Sequence, residues 1–302
     1  MKKIGLLLLA GLAFVSCNNQ KSNNSLNQEI EKIAQSKNAE VGVAVLGIEN
    51  RELYSFNGNK HFPMQSVYKL HLALAVLNQV DEGKLLLSQK IQLTADNLLP
   101  NTWSPLREKY PRGDTAVLLS EIIGFTVSQS DNNGCDILFG LVGGPGYINN
   151  FLHNKGIAEV SIISTEQEMH LNPNLQFENW TTPLAAVQLL DMFYNKKMVS
   201  DSSTQFLLQL MIETTTGPNR IKGQLPHGTP VAHKTGSSGK NSDGITAATN
   251  DIGIVELPDG THYAIAVFVT NSTEPEEIND QIIAEVSLAA YNYFLQQTNT
   301  KN

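Results

Sequence analysis

FPMQSVYKLHLALAVLNQV, residues 62–80, is nearly all apolar after its proline, and from Leu70 to Leu77, His71 apart, it is apolar on every face of a helix. A helix apolar all round is a buried one. Its first turn nevertheless holds Ser66 and Lys69, three residues apart and therefore on one face. Two readings of the pair are open. In one, both side chains reach solvent where the helix emerges. In the other, burial strips hydration from the ammonium, lowers its pKa and lets the amine draw the proton from the neighbouring hydroxyl, so that Ser66 is a nucleophile. The unpaired N–H groups and positive dipole end of a helix N-terminus suit the oxyanion that forms when a serine attacks a carbonyl. Ser-x-x-Lys alone does not decide between them, since about one match is expected by chance at this length. A second match, Ser237 with Lys240, occurs in the same chain.

Outward from this helix, Leu26 to Ala34 has amphipathic helical spacing, and EVGVAVLGI followed by RELYSF predicts two strands across a short turn. Near the other end, NDIGIVELPDGTHYAIAVFVT predicts a hairpin around Pro258, Asp259 and Gly260, with a closing helix from Glu276 to Phe294. Residues 61–212 are dominated by helical periods broken by Pro, Gly and Asn clusters. Strands at both ends with helices between them predict one sheet built from both termini, interrupted by an all-helical insertion. The expected division is an α/β domain of residues 26–60 plus 213–297 and an all-α domain of residues 61–212.

The first residues, MKKIGLLLLAGLAFVSC, place Lys2 and Lys3 before an apolar run from Ile4 to Val15 that is too short to span a bilayer comfortably. This is an export signal, followed by a polar stretch, residues 18–25, expected as a flexible tether. The Ser16-Cys17 ending resembles a bacterial lipoprotein signal, with Cys17 as the lipidated first mature residue. An ordinary cleaved signal is the alternative. The expected location is the periplasm, with membrane attachment only through Cys17. Cys135, in an apolar helical pattern, is then alone, and reads as a small core residue. A net charge of −8 with no Lys/Arg-rich run excludes a nucleic-acid face. The seven histidines form no zinc-type cluster, so no metal or organic cofactor is expected.

Two further triplets stand in order along the chain. Ser130-Asp131-Asn132 precedes a helical run and has the composition of a helix cap. Lys234-Thr235-Gly236 ends an apolar strand, where it reads as an exposed strand end entering a turn. Each triplet would occur by chance in fewer than about one chain in ten. Ser-x-x-Lys, Ser-Asp-Asn and Lys-Thr-Gly, in that order on helix, helix start and strand end, resemble a class A serine β-lactamase, and penicillin-binding proteins share the set. The resemblance runs from about Leu26 to Phe294. The strings HFPMQSVYK, TWSPLREKYP, SQSDNNGCDIL, TTTGPNRIKGQLP and VAHKTGSSG are most similar to the branch holding the VEB, PER and Bacteroides-type enzymes.

The resemblance implies a β-lactamase/transpeptidase-like α/β (α+β) fold, with an antiparallel five-stranded sheet flanked by helices, and a monomer. It also implies hydrolysis of penicillins and cephalosporins through an acyl-serine. Ser66 would be the nucleophile, with Lys69, or Glu166 through a water, as the acylation base. Ser130 would pass a proton to the leaving nitrogen. Backbone N–H groups of Ser66 and Ser237 would hold the oxyanion. Lys234, Thr235, Gly236 and Ser237 would line the carboxylate subsite and Asn132 would meet the side-chain amide. Arg220 matches a carboxylate-binding position, against a plain surface arginine; Trp103 resembles an aromatic shelf at the entrance, against simple packing. Deacylation needs a base on the loop ISTEQEMHLNPNLQFENWTTP, which offers Glu166, Glu168 and Glu178; the Glu-x-x-Met-His pattern selects Glu166. The loop departs from the commoner family pattern, with His170 in place of an asparagine, and Ser164 and Asn179 in place of an arginine–aspartate pair. Its course is therefore not predictable from the better-known relatives. The alternatives are a DD-peptidase-like penicillin-binding protein and a non-hydrolytic β-lactam sensor.

Overall fold

The computed structural model describes the backbone of residues 16–299 and the side chains of residues 25–297. The apolar run from Ile4 to Val15 lies outside the described residues, and of Cys17 only the backbone is described. Helix α1 (Ser16–Gln35) turns Leu26, Ile30 and Ala34 inward at four-residue spacing, burying all three. Its backbone takes in residues 18–25, the stretch expected as a tether. Once the Leu26 face is docked, extending a helix backward fixes one residue per hydrogen bond gained. Strands β1 (Glu40–Gly47) and β2 (Leu53–Phe56) then form the expected antiparallel hairpin.

The chain next leaves the sheet. Strand β3 (Phe62–Pro63) leads into a 3-10 turn at Gln65–Val67 and helix α2 (Tyr68–Asp81), which is buried at every residue from Tyr68 to Leu77. Around it fold β4 (Lys90–Leu93), α3 (Pro105–Lys109), β5 (Thr115–Leu118), α4 (Leu119–Ser128), α5 (Asn132–Val142) and α6 (Pro145–Asn154). They are followed by β6 (Val160–Ser161), α7 (Glu166–Leu171), β7 (Trp180–Thr181), α8 (Pro183–Tyr194) and α9 (Asp201–Ile212). The insertion is therefore helical without being all-helical: β4 pairs with β5, and β3, β7 and β6 make a small three-stranded sheet. Strands of two to four residues are too short for a period of two to show in the sequence.

The chain returns to the sheet as β8 (Val231–Ser237), β9 (Thr249–Glu256) and β10 (His262–Thr270), and closes with α10 (Glu276–Asn299). The β9–β10 turn is the expected one: Gly260 takes φ 81°, and the Asp259 carboxylate accepts from Thr261 N at 3.0 Å. The five strands run in the order β2-β1-β10-β9-β8, each neighbouring pair antiparallel. Alternate residues of the central strands feed two cores. Val41, Val43 and Val45 of β1, with Ile265 and Val267 of β10, pack with Leu26 and Ile30 of α1 and Ile282 of α10. Ala44 and Leu46, with Ala266 and Phe268, face the insertion and its central helix α2.

At the seam between sheet and insertion, β8 lies directly against the 3-10 turn. A Cβ added to Gly236 would stand 2.4 Å from Met64 O and 3.2 Å from Ser66 N. Only glycine permits that approach.

Candidate active site

Ser66 is held by what surrounds its turn. Gln65, immediately before it, has φ 47°, a left-handed conformation uncommon for a residue with a side chain. Its amide donates to Gln176 Oε1 at 2.6 Å, and Asn250 Nδ2 donates to Pro63 O at 2.8 Å and Met64 O at 3.1 Å. One turn on, Lys69 is completely buried, which eliminates the solvent-exposed reading of the pair. Its Nζ donates to Ser66 Oγ at 2.9 Å, Ser130 O at 2.9 Å and Asn132 Oδ1 at 2.5 Å. Those three bonds use all three ammonium hydrogens. Glu166 Oε1 stands 2.9 Å from the same nitrogen and pairs with its charge.

Asp131 caps α5, as its composition suggested. Its buried carboxylate accepts from Gly134 N at 2.7 Å, Leu106 N at 2.7 Å and Ser104 Oγ at 2.9 Å. With the middle residue turned inward, Ser130 (φ 58°) and Asn132 face Lys69. The Ser130 hydroxyl accepts from Lys234 Nζ at 2.9 Å, so Ser130 lies between the two lysines. Burial, with the Lys69 ammonium adding to it, pushes Lys234 well below the ordinary lysine range.

The three candidate glutamates separate by geometry. Glu168 closes a capping box, accepting from Thr165 N at 2.8 Å and Thr165 Oγ1 at 3.0 Å. Glu178 is exposed. Glu166, at the start of α7, alone of the three reaches Lys69. Its loop is closed by an amide where the commoner pattern has an ion pair. Buried Asn179 accepts from Ile163 N at 2.8 Å and Ser164 N at 3.0 Å, and donates to Ser164 O at 2.8 Å. His170 is exposed and lines a side cleft of about 240 Å³ with Asn132, Glu166 and Gln176.

The main cleft, about 320 Å³, is lined by Ser66, Trp103, Ser130, Asn132, Glu166 and Thr235, among others. Gly236 and Ser237 complete its β8 wall. Trp103 stands half-exposed on the cleft wall with its indole N–H on Gln129 O at 2.8 Å. Arg220 is not at the surface. It is buried beneath β8, donating to Gly236 O at 3.1 Å, Asn250 O at 3.0 Å and Ser237 Oγ at 2.8 Å.

Sequence reasoning missed several residues that shape this site. Asp136, one turn after Asn132, accepts from Glu166 N at 2.8 Å and Gln167 N at 2.9 Å, and so holds the start of α7. Burial pushes its carboxyl up to about 7; the Glu166 N–H bond opposes that and the Glu166 charge adds to it. Thr216 shares a 2.6 Å hydroxyl contact with Thr235, and Thr102 accepts from Asn132 Nδ2 at 2.7 Å. Only the spacing of Asp136 from Asn132 was visible in advance.

A serine hydroxyl held by a buried lysine, with a second lysine–serine pair and a carboxylate beside it, on a five-stranded sheet with a helical insertion, defines an acyl-transferring serine enzyme of the class A fold. A model of the β-lactamase enzyme family matches residues 25–294, and the chain belongs to that family. It is 45% identical over 294 residues to β-lactamase VEB-1 of Pseudomonas aeruginosa, covering 97% of this chain and 98% of that one. The crystal structure of the TLA-3 extended-spectrum β-lactamase superposes with a TM-score of 0.89 at 53% identity, over 90% of this chain and 99% of that one. A class A β-lactamase from Bacteroides cellulosilyticus gives a TM-score of 0.88 at 39% identity, over 91% and 99% of the two chains. The expected branch is thus the right one.

Proposed function

We propose that this chain is a class A serine β-lactamase that hydrolyses the β-lactam ring of penicillins and cephalosporins and so confers resistance to them. The observation that carries the reading is Glu166 Oε1 at 2.9 Å from Lys69 Nζ, itself 2.9 Å from Ser66 Oγ. Acylation alone does not require that carboxylate; turnover needs it to activate water. Ser66 Oγ attacks the lactam carbonyl, its proton passing to Lys69 or, through a water, to Glu166. The oxyanion is held by the backbone N–H groups of Ser66 and Ser237, which Gly236 lets approach each other. As the C–N bond breaks, the ring nitrogen takes a proton from the Ser130 hydroxyl, which regains one as the proton that left Ser66 is relayed through Lys69. Lys234, Thr235 and Ser237 bind the carboxylate, with Arg220 buried behind the Ser237 hydroxyl, Asn132 meets the side-chain amide, and Trp103 shelves the entrance. Glu166 then takes a proton from water, whose oxygen attacks the ester, and the proton goes on to Ser66 Oγ as the acyl–oxygen bond breaks, restoring both the hydroxyl and the carboxylate. Every step uses protein groups, water and substrate, without metal or organic cofactor.

Purified protein should hydrolyse a chromogenic cephalosporin and Ser66→Ala should not; an inactive wild type defeats the reading. Glu166→Ala should accumulate an acyl adduct visible by intact mass, whereas normal turnover by that variant would reassign the base. A stoichiometric adduct without turnover in the wild type would instead favour a penicillin-binding protein or sensor. We also infer export to the periplasm as a monomer anchored by lipid on Cys17. Lys2, Lys3, the apolar run that follows and the Ser16-Cys17 ending support the export and the anchor. Mass spectrometry of the mature N-terminus tests it, since an unmodified peptide starting elsewhere would remove the anchor.

A further inference from the structure

The N–H of Ser66 lies one peptide beyond Gln65, whose φ of 47° is held only where the surroundings impose it. That torsion relates two rigid peptide planes, the first carrying Met64 O and the second carrying Ser66 N–H. Whatever grips Met64 O therefore helps to set where Ser66 N–H points. Two donors do so. Val67 N, at 3.2 Å, belongs to the same turn. The other is Asn250 Nδ2, which gives one hydrogen to Pro63 O at 2.8 Å and one to Met64 O at 3.1 Å and so ties the turn to the sheet. Asn250 is buried, and its amide oxygen has no partner among the described residues. An unpaired buried acceptor is costly. What the side chain contributes here is its pair of donors.

The second N–H of the oxyanion hole, that of Ser237, stands on β8, at the edge of the sheet. Opposed residues of an antiparallel pair alternate between bonded and unbonded. Ser238 N donates to Ala248 O at 3.0 Å, so the next pair, Ser237 with Thr249, is unbonded and leaves Ser237 N–H outside the ladder. The pair after that, Gly236 with Asn250, is bonded again. Ile252 and Ile254 of β9 face the insertion, and alternation turns the Asn250 side chain the same way. We propose that Asn250 is a positioning residue for the oxyanion hole. Its backbone is paired beside Ser237 and its side chain holds the turn of Ser66, so the two N–H groups converge on one point. This rests on the β-lactamase reading above and adds to it a residue that does not line the cleft.

The test uses Asn250→Ala, expressed from the full chain, alone and combined with Glu166→Ala, which traps the acyl ester. Asn250→Leu, which keeps the volume without a donor, replaces the alanine variant if that fails to fold. Arg220 meets residue 250 only at its backbone carbonyl, which both substitutions keep. On a chromogenic cephalosporin kcat should fall roughly tenfold to a hundredfold, the scale of a displaced oxyanion donor. KM should stay within about twofold, because acylation and deacylation pass through the same oxyanion and slow together. In the trapped adduct of a penicillin, infrared difference spectra should show the ester carbonyl stretch moving to higher frequency than in Glu166→Ala alone, as its N–H donors draw away. Ile30→Ala, which loosens the far core, should leave that frequency where it is. An unchanged kcat overturns the proposal. So does a carbonyl frequency equal to that of Glu166→Ala alone, or an equal shift caused by Ile30→Ala, since either would make Asn250 a matter of fold stability only. Failure of Glu166→Ala to form any adduct would instead defeat the β-lactamase reading itself.

Discussion

Glu166 Oε1 stands 2.9 Å from Lys69 Nζ, beside the nucleophile's own lysine. Its place is set by its own backbone, because Asp136 accepts from the N–H groups of residues 166 and 167. An ordinary aspartate titrates near 3.9 in the unfolded chain, and burial raises Asp136 to about 7 in the fold. Between those values the folded protein holds a proton that the unfolded chain has released. Stability should therefore fall as pH rises through this window, on the order of 1 kcal/mol per pH unit. Asp136→Asn removes that slope and leaves one oxygen for two donors. Urea melts at pH 5 and pH 7 should show wild type losing its advantage over the variant at the higher pH; parallel curves would contradict it. Ser66, Lys69, Ser130 and Lys234 were legible because each belongs to a short motif with its own spacing. Asp136 was not, because its partners lie thirty residues away in a loop without a pattern.

At the scale of elements, α2 and the β9–β10 hairpin were readable because periodicity and turn chemistry are local properties. The loop from Ile163 to Thr182 was not. Its closure depends on Asn179 folding back on Ile163 and Ser164, sixteen and fifteen residues away, and no propensity encodes that pairing. The position of Arg220 depends likewise on α10, sixty residues on. Replacing Asn179 with alanine strands the buried Ser164 N–H and carbonyl and the partly buried Ile163 N–H at once. Each costs about 1–3 kcal/mol when left unpaired, although a loop can relax toward water. The expected loss is about 2–3 kcal/mol of global stability, with a larger fall in deacylation than in acylation because Glu166 rides on the loop. Hydrogen exchange and stopped-flow acylation measure the two effects separately. Exchange confined to its wild-type rate across residues 163–179 would show that the amide does not close the loop.

In the whole molecule, one sheet supplies both cores, with β1 and β10 contributing alternate residues to each face. The site lies at the seam, with nucleophile, Ser130 and Glu166 on the insertion and Lys234 on the sheet edge. The two faces therefore unfold together or the active site is lost first. Ile30, on α1, is fully buried on the face away from the cleft. Ile30→Ala should cost about 2–5 kcal/mol through lost burial and a residual cavity. If the molecule is one cooperative unit, urea curves followed by far-ultraviolet circular dichroism and by hydrolysis of a chromogenic cephalosporin coincide in wild type and shift together in the variant. The activity per folded molecule stays at the wild-type level, since none of the described side chains of α1 lines the cleft. Activity disappearing at a lower urea concentration than secondary structure would mean that the seam opens while the sheet and its terminal helices stay folded.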